Sequence, residues 1–176
     1  MGYTTEFKGS FFFDQPLTKK QADYIRKFSE TRRMTRNNTI LNELFVGHNG
    51  HPSLEYPNNY GTQGEFFVGG GGFAGQERDA SIMDYNQPPS SQPSLWCGWT
   101  VNEDGTALVW NGAEKFYEYE GWLRYMIDNF FVVWNVNLNG MMKWQGDERT
   151  DKGKIVVRDN QIQMFYPKNS ERYWWV

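Results

Sequence analysis

The chain has 176 residues, which is long enough for a domain with a full hydrophobic core. Its 13 Phe, 10 Tyr and 8 Trp outnumber its 24 Leu, Ile and Val, and this balance predicts both a bulky core and exposed stacking surface. The formal net charge is −3, which argues against a global attraction to nucleic acid or membrane, although residues 1–36 carry eight bases and four acids.

The first third of the chain predicts one strand and two helices. Residues Thr5–Phe13 alternate in polarity and predict a strand. The sequence from Thr18 to Gln21 has the form of a capping box, and the apolar stripe after it predicts a helix over Thr18–Arg33. A second, shorter helix is predicted over Asn38–Phe45, and Glu65–Val68 is predicted as a short strand.

The rest of the chain predicts mainly hairpins around one long helix. The helix is predicted to start at an Asn111 cap and to carry an apolar stripe from Phe116 to Phe130, with Leu123 inside and Tyr125 on the opposite face. Strands are predicted at Leu95–Val101, Ala107–Trp110, Met141–Trp144, Gly153–Arg158 and Gln161–Tyr166, the last two joined by Asp159-Asn160. We therefore expect one α+β domain over residues 1–176, a two-layer sandwich with a mostly antiparallel sheet, two main amphipathic helices and a long Gly/Pro-rich loop.

The glycine run in that loop matches a nucleotide-binding pattern only superficially. Gly70–Gly75 fits G-x-G-x-x-G, but the following residues contain too many helix breakers, and no acid for a ribose lies near Leu95. Gln76 stands where a P-loop requires Lys. A flexible or close-packed glycine turn is the favoured interpretation.

A charged cluster in the same loop has two interpretations. Arg78 lies between acids, and Asp84 precedes Tyr85. Such residues could clamp an anion, with Asp79 or Asp84 handling protons. The favoured alternative is an internal ion pair that pins the loop to the sheet.

Other polar residues are expected to be structural. His48 and His51 lack a third ligand, so no metal site is expected. Cys97, the only cysteine, is expected to be a buried small hydrophobe. The bases Lys19, Arg26 and Arg33 recur every seven residues on the first helix, where a solvated mixed-charge face is favoured over a phosphate track. The acids Asp147, Glu148 and Asp151 are expected in an exposed turn.

Several short motifs together resemble a family of small uncharacterised bacterial and phage proteins. They are the glycine run Gly70–Gly75, Asp84-Tyr85-Asn86, Leu95-Trp96-Cys97-Gly98-Trp99, Glu114-Lys115-Phe116-Tyr117, Leu138-Asn139-Gly140, Trp144-Gln145-Gly146 and Asp159-Asn160. The resemblance implies a bacterial or viral setting inside the cell. It implies no activity and no site residues.

Two functions remain open. The preferred hypothesis is a non-enzymatic protein that binds a protein partner, in its concrete form a phage or bacterial inhibitor or modulator of a host defence system. The alternative is a small-ligand receptor or enzyme with an anion pocket at loop 69–93. The binding residues predicted are Phe73, Arg78, Asp79, Asp84, Tyr85, Trp96, Trp174 and Trp175. No cofactor is expected, nor a nucleic-acid or membrane partner, and the absence of a signal-peptide pattern predicts a cytoplasmic protein.

Overall fold

The computed structural model describes residues 2–46, 50–53, 60–69 and 78–167. The strands and helices, in chain order, are β1 (Thr5–Phe13), α1 (Lys19–Glu30), β2 (Thr35–Arg36), α2 (Asn38–Leu44), β3 (Ile82–Asp84), β4 (Trp99–Val101), β5 (Ala107–Trp110), α3 (Tyr119–Met126) with a π-helical turn (Ile127–Phe131), β6 (Leu138–Gly146), β7 (Lys152–Arg158) and β8 (Gln161–Phe165). Every strand pairing in the described ranges is antiparallel. The predicted α+β class with a mostly antiparallel sheet is confirmed.

Three predicted elements differ from those observed. Glu65–Val68 is not a strand, because the amide of Phe67 donates to the Gly64 carbonyl at 3.1 Å and closes a local turn. The strand predicted from Leu95 is regular only over β4. Asn111 does not cap the long helix: its side chain accepts a hydrogen bond from the Ala113 amide at 2.9 Å, and α3 begins at Tyr119.

The long helix is also buried more widely than its apolar stripe predicted. Leu123 is fully buried, but Tyr125, placed on the exposed face by the sequence, is only 7% exposed. Its ring packs edge-on against Phe130 in the π-helical turn, with the centroids 5.9 Å apart. The extra residue in a π turn changes the angle at which later side chains leave the helix, which a strict 3.6-residue period cannot anticipate.

The contacts divide the chain into two compact units, each discontinuous in sequence. The sheet unit comprises residues 1–17, 98–116 and 123–176, and the loop-rich unit comprises residues 18–97 and 117–122. Both units include some residues outside the described ranges. Within the described part of the chain, no helix is long and apolar enough to cross a membrane.

The sheet unit is organised around β1, which lies inside a six-stranded sheet of order β4-β5-β1-β6-β7-β8. β1 pairs with β6 along its whole length, from Thr5↔Gly146 to Phe13↔Leu138. Alternate residues of β1 are buried, and Phe7 packs edge-on against Trp99 with the ring centroids 5.1 Å apart. Aromatic residues therefore fill the inner face of this sheet, as the composition predicted.

Two glycines let β1 and β6 approach each other closely. Gly9 has φ +121° and Gly140 has φ +144°, values that residues with a Cβ rarely adopt. A Cβ on Gly140 would stand 2.6 Å from the Ser10 carbonyl oxygen, and one on Gly9 would stand 2.5 Å from that of Met141. Both positions consequently require glycine.

The predicted β7–β8 hairpin is confirmed in position and turn. Asp159 and Asn160 both have positive φ, 45° and 66°, which is the signature of a type I′ turn. The Asn160 side chain accepts a hydrogen bond from the Leu138 amide at 2.7 Å and donates one to the Val136 carbonyl at 3.0 Å. The turn thus also fixes the start of β6.

The loop-rich unit contains α1, α2 and the two-stranded sheet β2-β3. The capping box predicted at Thr18 and Gln21 is present. One face of α1 is buried through Tyr24, Ile25 and Phe28. The short strands β2 and β3 were not predicted, since two or three residues carry no measurable periodicity.

Candidate functional site

The sequence-predicted site residues that the structure describes all lie in the loop-rich unit. They are Arg78, Asp79, Asp84, Tyr85 and Trp96. The other predicted residues, Phe73, Trp174 and Trp175, lie outside the described residues, as do the glycine run Gly70–Gly75 and His48.

Asp79 is a structural anchor, and its partner is Arg36. Arg36 Nη1 donates to Asp79 Oδ2 at 2.8 Å and to Ser81 Oγ at 2.8 Å. The Arg36 side chain is only 1% exposed, and its guanidinium lies 4.2 Å from the centroid of the Phe67 ring. The interpretation as an internal ion pair therefore describes Asp79, although its cation is Arg36 on β2 and not the neighbouring Arg78.

These contacts keep Asp79 ionised. Burial acts to raise its pKa, but hydrogen bonds from Ser81 and Arg36 outweigh burial, and the pKa lies below its usual value. Burial in turn lowers the pKa of the Arg36 guanidinium, an effect that Asp79 opposes. Because both Asp79 oxygens accept hydrogen bonds from this chain's own donors, the carboxylate is poorly placed to exchange protons with a substrate.

Asp84 shapes the turn that follows β3. Its Oδ1 accepts a hydrogen bond from the Asn86 amide at 2.9 Å, which is the local turn that Asp side chains favour. Asp84 itself is exposed. Its contact with the backbone orients the Tyr85-Asn86 segment.

Two cationic side chains lie close to the Tyr85 ring. The guanidinium carbon of Arg32 is 4.3 Å from the centroid of the Tyr85 ring, and that of Arg78 is 5.5 Å from it. Arg32 is further fixed because its Nε donates to the Tyr85 carbonyl at 3.0 Å and its Nη2 to Asn86 Oδ1 at 3.1 Å. We call Arg32, Arg78 and Tyr85 the arginine–tyrosine cluster.

The cluster is a positive surface with an aromatic centre. Arg78 is exposed, and Arg32 and Tyr85 are half-buried. The two guanidinium groups lie within about 10 Å of each other, which is roughly one Debye length at 0.1 M salt, so their fields reinforce each other. Met83, on β3 and two residues before Tyr85 in the chain, is 67% exposed. This arrangement can pair with carboxylates or phosphates and can pack against apolar groups.

Arg32 was missed by the sequence analysis because it stands 53 residues from Tyr85 in the chain. The prediction for the neighbouring Arg33 was wrong, because Arg33 does not belong to a solvated helix face. It lies beyond the end of α1 and is 1% exposed, with Nη1 donating to the Phe67 carbonyl at 2.8 Å and Nη2 to the Glu65 carbonyl at 2.6 Å. Its guanidinium also lies 4.0 Å from the centroid of the Phe28 ring.

Trp96, Cys97 and His51 do not join the cluster's chemistry. Trp96 is half-buried, and its carbonyl accepts a hydrogen bond from Ser94. Cys97 is fully buried, as predicted. His51 is buried against Phe66, with the ring centroids 5.0 Å apart. No group of three or more His, Cys, Asp or Glu in the described ranges is arranged to hold a metal ion.

The acidic loop before β7 fastens the N-terminal strand of the sheet unit. Asp147 Oδ2 accepts a hydrogen bond from the Thr4 amide at 2.9 Å, and Asp151 accepts one from the Tyr3 hydroxyl. This hydrogen bond is also the main cause of a raised Tyr3 pKa. The loop is therefore a structural contact of the segment that leads into β1.

No protein-family model, curated protein or solved structure matches this chain.

Proposed function

We propose that this chain is a non-enzymatic binding protein that docks a protein partner through the arginine–tyrosine cluster. The observation that carries the proposal is the Tyr85 ring with a guanidinium at 4.3 Å and another at 5.5 Å on an accessible surface. Tyr, Arg and Met are enriched at protein interfaces, and Met83, two residues before Tyr85 in the chain, supplies an exposed apolar side chain.

The charge of the cluster defines the chemistry of the partner. Two guanidinium groups favour a surface with Asp or Glu side chains, because Arg forms paired hydrogen bonds with carboxylates. The resemblance to bacterial and phage proteins supports a concrete version, in which the chain inhibits or modulates a component of a host defence system.

A small anionic ligand is the second candidate function. The proximity of Arg32 and Arg78 favours it, since a phosphate or dicarboxylate could bridge them. The contacts of Asp79 with Arg36 and Ser81 occupy both oxygens of its carboxylate, and Asp84 Oδ1 accepts a hydrogen bond from the Asn86 amide, so both acids have a structural role. A receptor is therefore better supported than an enzyme.

A photo-crosslinking amino acid at Met83 tests the protein-partner proposal. A control chain carries the same group at Leu44, which is also exposed and lies on α2 in the same unit. In lysates of bacterial cells, we expect a discrete protein adduct from position 83 and none from position 44. With the adduct partner purified, Arg78→Gln and Tyr85→Ala should each weaken the complex at least tenfold, as interface hot spots do.

Two results would contradict the protein-partner proposal. One is an adduct that forms equally from positions 83 and 44. The other is an affinity that Arg78→Gln leaves unchanged; Arg78 is exposed, so this variant is expected to fold. A thermal stabilisation by phosphate or dicarboxylates that Arg78→Gln abolishes, together with no adduct at position 83, would establish the small-ligand function instead.

A further inference from the structure

The outer face of the sheet unit carries three lysines side by side. The strand register pairs Lys8 with Lys143 and Lys143 with Lys154. Residues that pair directly in a sheet point to the same face. The flanking Phe7, Met142 and Ile155 are buried, so Lys8, Lys143 and Lys154 occupy the opposite, outer face. We call these three residues the lysine row.

The row concentrates positive charge in a chain whose net charge is −3. Neighbouring strands lie about 4.8 Å apart, so the three lysine positions span about 10 Å. Three cationic positions this close together match an anion with several closely spaced charges, such as the successive phosphates of a nucleic acid.

Aromatic side chains flank the row on the same face. Phe165 pairs with Lys154, whose Nζ lies 4.9 Å from the centroid of the Phe165 ring. Phe12 is four residues beyond Lys8 on β1, and therefore on the same face, and is 58% exposed. Glu6 lies at the other end of this face, so the basic and aromatic part of the surface runs from the row toward Phe12.

We propose that this outer face binds a single-stranded nucleic acid, with phosphates at the lysine row and bases stacked on Phe12 and Phe165. Lysines that track a backbone and rings that stack bases are the two components of such sites. A duplex would keep its bases paired and away from the rings. The low overall charge predicted no nucleic-acid partner, but the overall charge of a chain does not show whether its basic side chains gather on one face. This surface is separate in residues and chemistry from the arginine–tyrosine cluster.

Fluorescence anisotropy with a fluorescein-labelled 20-nucleotide oligo-dT tests the proposal. The test variant is Lys8→Gln/Lys143→Gln/Lys154→Gln. The control is Lys19→Gln/Lys20→Gln/Lys27→Gln on α1, which removes the same charge from another surface. We expect the test variant to bind at least tenfold more weakly and the control to stay within threefold of the original chain. For a single strand each neutralised phosphate contributes about 0.7 to the slope of log K against log salt, so the slope should fall by about 2 in the test variant only.

Phe12→Ala separates stacking from charge. Loss of one stacking ring should weaken oligo-dT binding about tenfold and leave the salt slope unchanged. Circular dichroism confirms that each variant is folded. If the triple variant does not fold, Lys8→Gln alone carries the test, because Lys8 is exposed, and its slope should fall by about 0.7.

Several outcomes would overturn the proposal. They are no saturable binding of oligo-dT by the original chain, equal losses in the two triple variants, no effect of Phe12→Ala, and competition by a duplex of equal length as strong as that by unlabelled oligo-dT. The last two results would indicate a general polyanion surface in place of a single-strand site.

Discussion

The sheet unit and the loop-rich unit satisfy their backbones by different chemistry. In the sheet unit, long antiparallel ladders pair the backbone, and apolar side chains fill the inner face. In the loop-rich unit, the only paired strands in the described ranges are β2 and β3, and the buried guanidinium of Arg33 donates to the carbonyls of Glu65 and Phe67. Buried polar backbone groups need partners in both cases; an arginine can supply them where a neighbouring strand is absent.

The comparison predicts that loss of apolar volume does most damage to the sheet unit. Leu123→Ala and Tyr125→Ala should each lower the free energy of unfolding by about 2–5 kcal/mol, because both side chains are buried. Arg124→Ala, at an exposed position between them, should cost less than about 1 kcal/mol. Urea denaturation measures all three. A small loss for Tyr125→Ala would restore the exposed face that the sequence predicted for that residue.

The loop-rich unit should instead be sensitive to loss of a charge at constant volume. Arg33→Met keeps an unbranched apolar side chain but removes the Arg33 donor from the Phe67 carbonyl. The Glu65 carbonyl also loses Arg33 but still accepts a hydrogen bond from Gln92 Nε2 at 2.7 Å. An unsatisfied buried acceptor costs about 1–3 kcal/mol, so we expect a loss of that size in the free energy of unfolding. Arg33→Lys keeps the positive charge but not the planar set of guanidinium donors. Its free energy of unfolding should therefore lie between that of the original chain and that of Arg33→Met. If Arg33→Met is as stable as the original chain, the contrast between the units is wrong.

Sequence reasoning succeeded where the signal is local. The Thr18 capping box, the strand Thr5–Phe13 and the Asp159-Asn160 turn were all predicted, because each depends on residues within a few positions of one another. Burial of Arg33 was not predicted, since its acceptors are more than 30 residues away. A charged residue at helical spacing is indistinguishable in sequence from one on a solvated face.

The candidate surfaces divide in the same way. Arg78 and Tyr85 were singled out because an aromatic residue and a charge cluster share one loop, whereas Arg32 reaches them only through the tertiary fold. The lysine row depends on strand register, which a single strand's alternation does not determine. Lys143 and Lys154 each alternate with apolar residues in sequence, but nothing in that pattern aligns them with each other.

Glycine positions should discriminate backbone effects from packing effects in the sheet unit. Gly140→Ala forces a Cβ to within 2.6 Å of the Ser10 carbonyl oxygen at a φ of +144°, so we expect a loss of about 2 kcal/mol in the free energy of unfolding. Gly112, with φ +83° and open space around its Cβ position, is a control for positive φ without a close contact, and Gly112→Ala should cost about half as much. Equal losses in thermal unfolding would mean that close approach of β1 and β6 adds nothing beyond backbone strain.

The smallest expected effect is a pH dependence of stability that the charge of Asp79 gives to the loop-rich unit. The pKa of Asp79 is lower in the folded chain than its usual value, so the unfolded chain takes up a proton first as the pH falls. The stabilisation by Asp79 should be complete at pH 7, above the usual Asp pKa of about 3.9, and should decline as the pH drops through the folded-state pKa. Asp79→Asn should therefore unfold at a lower temperature than the original chain at pH 7, by an amount that shrinks toward pH 3. Arg36 remains charged throughout this range, so a difference independent of pH would show that the hydrogen bonds of Asp79, and not its charge, hold the loop against β2.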